Sequence, residues 1–236
     1  DKKNDRLRDF LGGFLPACVL IGIIAGLIVL EPDFGGAFLI ILIGFSLFFV
    51  AGVNIKHIIG ISLFSLPAII SFLLVDYRRD RLISFLDPWS YQETSGYQLI
   101  QSLIAVGSGG IFGKGLGNST QKLYFLPEIH TDFIYAGIAE ELGFIGSVFI
   151  LMLFVILFIF CVDSTLKQKD NFRFLLTFGC TLVIVLPALF HILAVLGLVP
   201  TKGLTLTFVS YGGSSLIMNM FIIGVILRGL KENRCV

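Results

Sequence analysis

Five residues in one stretch carry side chains able to hold or move protons. They are Glu128, His130, Asp132, Glu140 and Glu141, within YFLPEIHTDFIYAGIAEELGFIGSVFI, 124–150. A carboxylate with limited hydration has a raised affinity for protons. The same pattern also suits a helix start, where Thr131 or Asp132 would satisfy orphan amides and complement the helix dipole. Counting from Asp132 in steps of four and three gives Ala136, Ala139, Gly143 and Gly146, a stripe of small residues. Small residues let a neighbouring helix approach closely, so this stripe predicts a protein-facing side. Asp132 lies just above it, in a gap between helices, and an ionisable residue there is a functional candidate. Glu140 and Glu141 lie two turns deeper, and adjacent helical positions point about 100° apart, so both cannot share Asp132's direction. Pairing within a bundle is the reading for these two. His57, His130 and His191 are isolated from one another and from any cysteine pair, which argues against a three-ligand zinc site.

The elements that position these groups must lie in a bilayer. The chain has 236 residues, of which 56% are hydrophobic and 14% charged, with a mean hydropathy of +0.95. Soluble domains carry about 25% charged residues, and one soluble core cannot hide 24 Phe. A net charge of +1 gives no sign of a nucleic-acid partner. Cys18, Cys161, Cys180 and Cys235 lack metal or redox spacing and read as packing residues. The opening DKKNDRLRD has no short apolar core of the kind that marks a cleavable signal peptide.

Six apolar segments are long enough to span: about 12–30, 34–53, 58–75, 132–162, 174–199 and 210–229. Pro187 predicts a kink in the fifth, which neighbouring helices must accommodate. With both ends placed in the cytoplasm, eleven Lys and Arg fall inside and six outside. The outside set is Arg78, Arg79, Arg81, Lys114, Lys122 and Lys202. The expected fold is an all-α polytopic membrane bundle, one transmembrane domain over 1–236, with a long external loop 76–131. Within that loop, YQLIQSLIAV (97–106) has the spacing of an amphipathic helix at the membrane surface. The following GSGGIFGKGLGNS is not a P-loop, because Gly115 stands where Ser or Thr is required. It reads either as a flexible hinge or as a backbone-lined substrate path.

Several blocks, in order, resemble the SEDS family (shape, elongation, division and sporulation: the FtsW, RodA and SpoVE proteins). They are EPDFG (31–35), FLDPW (85–89), residues 95–146, LVPTKGLTL (198–206) and FVSYGGSS (208–215). GLGNSTQKLYFLPE and TKGLTL look more like the division branch, FtsW or its sporulation relative, than the elongation branch. The resemblance implies a ten-helix bundle of which this chain is the C-terminal part, starting before the fifth helix. The absent initiator Met fits that expectation.

The resemblance further implies a peptidoglycan glycosyltransferase that polymerises lipid II outside the bacterial cytoplasmic membrane, at the division septum. The family's essential acid falls on Asp132, as general base. The departing lipid-linked diphosphate needs cations, and Lys202, Arg79, Arg81, Lys114 and Lys122 are the external candidates. Glu31, matching a family motif, is a further site candidate; a helix stop is its structural alternative. The resemblance allows a divalent cation such as Mg2+ or Mn2+, with no ligand set visible. Implied partners are a class B penicillin-binding protein transpeptidase, other divisome proteins and membrane lipids. Gly36, Pro187, His191 and Thr207 depart from the family pattern, which usually has Thr or Ser, Gln, Asn and Pro near these positions. Two other functions fit the acids: a flippase or transporter of the lipid-linked precursor, and an inactive scaffold of division partners.

Overall fold

A computed structural model describes residues 9–31, 33–73, 76–126, 129–201 and 203–231. Among them every regular element is helical. A π-helical turn, Phe10–Phe14, runs into α1 (Leu15–Leu30), followed by α2 (Phe34–Val50), α3 (Ile55–Leu73) and α4 (Asp76–Leu86). A 3-10 turn, Trp89–Tyr91, leads to α5 (Tyr97–Ser108), the short α6 (Thr120–Tyr124), α7 (Ile134–Leu166), α8 (Asn171–Val195) and α9 (Gly213–Lys231). Phe10–Leu30, α7 and α8 are each long and apolar enough to cross a membrane, and α2, Ile55–Pro67 and Gly213–Gly229 are shorter apolar helices. This is the expected polytopic helical membrane fold.

The helices divide into two compact units. Residues up to Phe72, Phe160–Val183 and Phe221–Val236 form one; Leu73–Ile159 and Ile184–Met220 form the other. In the first, Asp33 starts α2 by accepting a hydrogen bond from Gly36 N at 2.9 Å, so the sequence EPDFG is both a stop and a start. Phe14, Phe48, Val53 and Ile58 make its core, with the Phe14 and Phe48 rings edge to face at 5.0 Å. In the second, Ala105, Phe133, Ala136, Ala188, Ile192, Val195 and Leu206 belong to one buried cluster. Cys18, Cys161 and Cys180 are free thiols.

Three sequence expectations change. The segment read as an interfacial helix, now α5, instead buries Leu99, Ile100, Ser102 and Ala105. Ser102 Oγ donates to Val195 O at 2.8 Å, because a hydroxyl on an apolar face must find a carbonyl once enclosed. The fifth span stops at Val195 rather than 199. Gly197, at φ 69°, closes it in a Schellman motif, with Leu198 N on Leu193 O at 2.9 Å and Gly197 N on Ala194 O at 3.1 Å.

The fourth span is not one continuous helix from Asp132. Asp132 sits in the turn preceding α7, and Gly143 breaks the helix with φ 68°, ψ −165°. That backbone region is open to glycine alone. The break frees carbonyls above it and amides below it, and backbone groups at membrane depth must be paired. The glycine-rich segment pairs them. Lys114 N donates to Glu140 O and Gly115 N to Glu141 O, both at 3.0 Å; Phe144 N donates to Gly110 O at 2.9 Å and Ile145 N to Ile111 O at 3.3 Å. A Cβ on Gly143 would meet the Ile111 carbonyl oxygen at 2.6 Å. The small stripe therefore receives a loop rather than a helix, and Gly146, beyond the break, does not continue it.

Candidate functional site

Asp132 is half-buried and lines a small cleft with Phe133, His191, Ala194, Thr201, Gly203 and Leu204. A Cβ on Gly203 would stand 3.3 Å from Asp132 Oδ2, so the backbone at Gly203 passes close to the carboxylate. The free space, about 10 Å³, is that of one water-sized group.

Two sets of hydrogen bonds hold the cleft. On one side, Ser210 Oγ donates to Thr131 O at 2.7 Å and accepts from Leu206 N at 2.8 Å. Tyr211 N donates to His130 O at 3.0 Å. These bonds clamp 206–211 onto the two residues before Asp132. On the other side, the 203–207 segment is tied to α8 at two points. His191 Nδ1 lies 2.6 Å from Leu204 O, and Thr207 Oγ1 donates to Ile184 O at 2.9 Å. Pro187 cannot donate to the helical turn before it, and Thr207 feeds a carbonyl in that same turn. Pro187 and Thr207 thus stand in direct structural relation.

Glu140 forms a second polar centre. Its side chain is fully enclosed and takes Lys114 Nζ at 2.6 Å, Ser119 Oγ at 2.5 Å, and Thr120 Oγ1 at 2.8 Å. The Thr120 and Gln121 amides also donate to it, each at 3.2 Å. A buried carboxylate persists only when paired and hydrogen-bonded in this way. Here it docks the loop and α6 onto α7. Glu141 pairs with Lys122 at 3.7 Å. The pairing within the bundle that the sequence suggested for both glutamates is present.

The remaining candidates are dispersed. Arg79 and Arg81 are exposed on α4. Lys114 is engaged by Glu140, with 33% of its side chain exposed, and Lys122 is engaged by Glu141. Glu31 is exposed and caps the end of α1, its amide donating to Ile28 O at 3.1 Å. Lys202 and Glu128 lie outside the described residues. Sequence reasoning passed over Ser210 and His191 as site residues. For His191 a signal was available, since an ionisable side chain inside an apolar span is by default functional. For Ser210 there was none, because its partners are 79 and four residues away.

A helical membrane protein with one half-buried carboxylate at a cleft, walled by a loop between two apolar helices, is the class defined so far. The profile of the FtsW/RodA/SpoVE family, described as cell cycle protein, matches residues 1–234. The chain belongs to that family. It is 48% identical over 222 residues to a probable peptidoglycan glycosyltransferase FtsW of Coxiella burnetii, covering 92% of this chain and 60% of the relative. It is 44% identical over 237 residues to a protein of the same description from Wigglesworthia glossinidia brevipalpis, covering 99% and 62%. A third such protein, from a Geobacter species (strain M18), is 40% identical over 228 residues, covering 96% and 62%. The chain thus spans about three-fifths of the length of the relatives it matches.

Proposed function

We infer that this chain is part of a peptidoglycan glycosyltransferase. It polymerises lipid II at the outer face of the bacterial cytoplasmic membrane during cell division, with Asp132 as general base. The observation that carries this reading is the half-buried Asp132 carboxylate in a cleft sized for one hydroxyl, in a chain resembling proteins named for that activity. In the reaction the acceptor sugar's 4-hydroxyl oxygen attacks the donor's anomeric carbon. A new C–O bond forms as the bond to the lipid diphosphate breaks. The hydroxyl proton passes to the Asp132 carboxylate, and the diphosphate departs with the bonding electron pair.

The departing charge calls for cations. Arg79 and Arg81 on α4, Lys122 and Lys202 are assigned to it, with Lys114 contributing from its place beside Glu140 and Glu31 as a further substrate contact. Among the described residues no group of three or more His, Cys, Asp or Glu side chains gathers to hold a metal ion; a divalent cation, if bound, would share the diphosphate charge with these basic side chains. On this reading both ends of the chain face the cytoplasm, residues 76–131 face outward, and the partners are a class B penicillin-binding protein transpeptidase and other septal proteins.

The test is lipid II supplied to the full-length protein in detergent, where no membrane sidedness exists. Wild type should make glycan chains, and Asp132→Asn should lower the rate by about 10²–10⁴-fold, the usual worth of a general base. No polymer from wild type, with lipid movement intact in vesicles, would assign the chain to transport instead.

A further inference from the structure

Beside Asp132, the cleft contains a polar group with unfilled bonding capacity. His191, on α8, is 1% exposed and lines the same cleft. Its Nδ1 lies 2.6 Å from the Leu204 carbonyl oxygen. A carbonyl can only accept, so the ring hydrogen is on Nδ1, and the neutral imidazole then offers Nε2 as an acceptor. That Nε2 is buried and has no hydrogen-bond partner among the described residues. Buried polar atoms in folded proteins almost always find a partner, and an unpaired one costs free energy. Phe133, Ala194, Gly203 and Leu204 of the cleft wall supply no side-chain donor, and the Thr201 hydroxyl, which also lines it, is not bonded to Nε2. The space left, about 10 Å³, suits one oxygen with its hydrogen.

We propose that His191 Nε2 accepts a hydrogen bond from an O–H group lodged in this cleft beside Asp132, supplied by the substrate's alcohol or by a water holding its place. With the carboxylate, it makes a site that takes oxygens bearing a hydrogen and disfavours those without one. His191 is thereby a specificity-determining residue for an alcohol. The identity of that alcohol rests on the glycosyltransferase reading; the hydrogen bond itself does not.

The experiment is nitrogen NMR of the full-length protein in detergent micelles, with ¹⁵N-labelled histidine. The His191 resonances are found by difference against His191→Asn, whose amide can still donate to Leu204 O. Should that variant not fold, replacing the other histidines isolates the same signals. The expected spectrum shows a protonated Nδ1 and an unprotonated Nε2 shifted as a hydrogen-bond acceptor. If the shift is present before any addition, water is the donor. If it appears only when lipid II is added, the substrate is. A proton on Nε2, or an unshifted Nε2 in both conditions, overturns the proposal. Glycan synthesis by the same wild-type sample is scored separately. Its absence overturns the glycosyltransferase reading while the spectrum still decides the role of His191.

Discussion

The Lys114 ammonium lies 2.6 Å from Glu140 Oε1, with the glutamate side chain completely enclosed and the lysine one-third exposed. Through this pair the glycine-rich loop is fastened to the helix that Asp132 precedes. Removing one partner of a buried pair costs about 3–5 kcal/mol, because the other is left uncompensated. Lysine's access to water places this pair near the lower end. Glu140→Ala also strands the Ser119 and Thr120 hydroxyls and two amides, whereas Lys114→Met leaves those donors on the carboxylate. Melting temperatures in detergent should therefore fall further for Glu140→Ala than for Lys114→Met. The reverse order would show that the loop is not held by this carboxylate.

Gly143→Ala should destabilise by about 1–3 kcal/mol from backbone strain alone, and more because the new Cβ meets Ile111. Hydrogen exchange should rise at Lys114, Gly115, Phe144 and Ile145, the four amides that bridge the break. The control is Gly107→Ala. That glycine is exposed on α5 with nothing within 4 Å of an added Cβ, and the change should stabilise by about 0.4–1 kcal/mol.

Thr207 and Pro187 should be energetically coupled. Thr207→Val removes the bond to Ile184 O, worth about 0.5–1.5 kcal/mol. Pro187→Gln restores a helical donor to Val183 O and removes the proline ring from the turn that carries Ile184 O, so in that background the same substitution should cost less. A double-mutant cycle on thermal stability measures the difference, expected at about 0.5–1 kcal/mol. A coupling of zero would mean that the two positions vary independently.

Ser210→Ala unties Leu206 N and Thr131 O together. Two enclosed backbone groups lose their shared partner, which should cost about 1–3 kcal/mol. Because Thr131 adjoins Asp132, glycan synthesis should fall further than stability predicts, by up to about 100-fold if the carboxylate moves by an ångström. Comparing polymerisation rates at a temperature where both proteins are folded separates the two effects.

Much of the fold was legible in the sequence because hydrocarbon imposes a simple rule. Apolar runs of sufficient length become helices, and α1, α2, α3, α7, α8 and α9 each fall on an expected segment. Their ends moved where capping chemistry decided them, as with the Gly197 turn after Val195. The break at Gly143 was hidden because glycine in a small-residue stripe is also what close helix packing requires. Which of the two it serves depends on a segment 30 residues earlier.

The residues 124–150 by themselves determined that acids sit at the start of an apolar helix, that Glu140 and Glu141 needed partners, and that Asp132 stood at an entrance. Those conclusions follow from helical spacing and from the cost of burying charge, both local properties of the chain. Only the tertiary structure decided that Lys114, Ser119 and Thr120 supply the partners of Glu140, and that His191, Thr201, Gly203 and Leu204 wall the Asp132 cleft. Such pairings join positions 20 to 80 residues apart. No periodicity encodes them, because they are fixed by which surfaces meet when the helices pack.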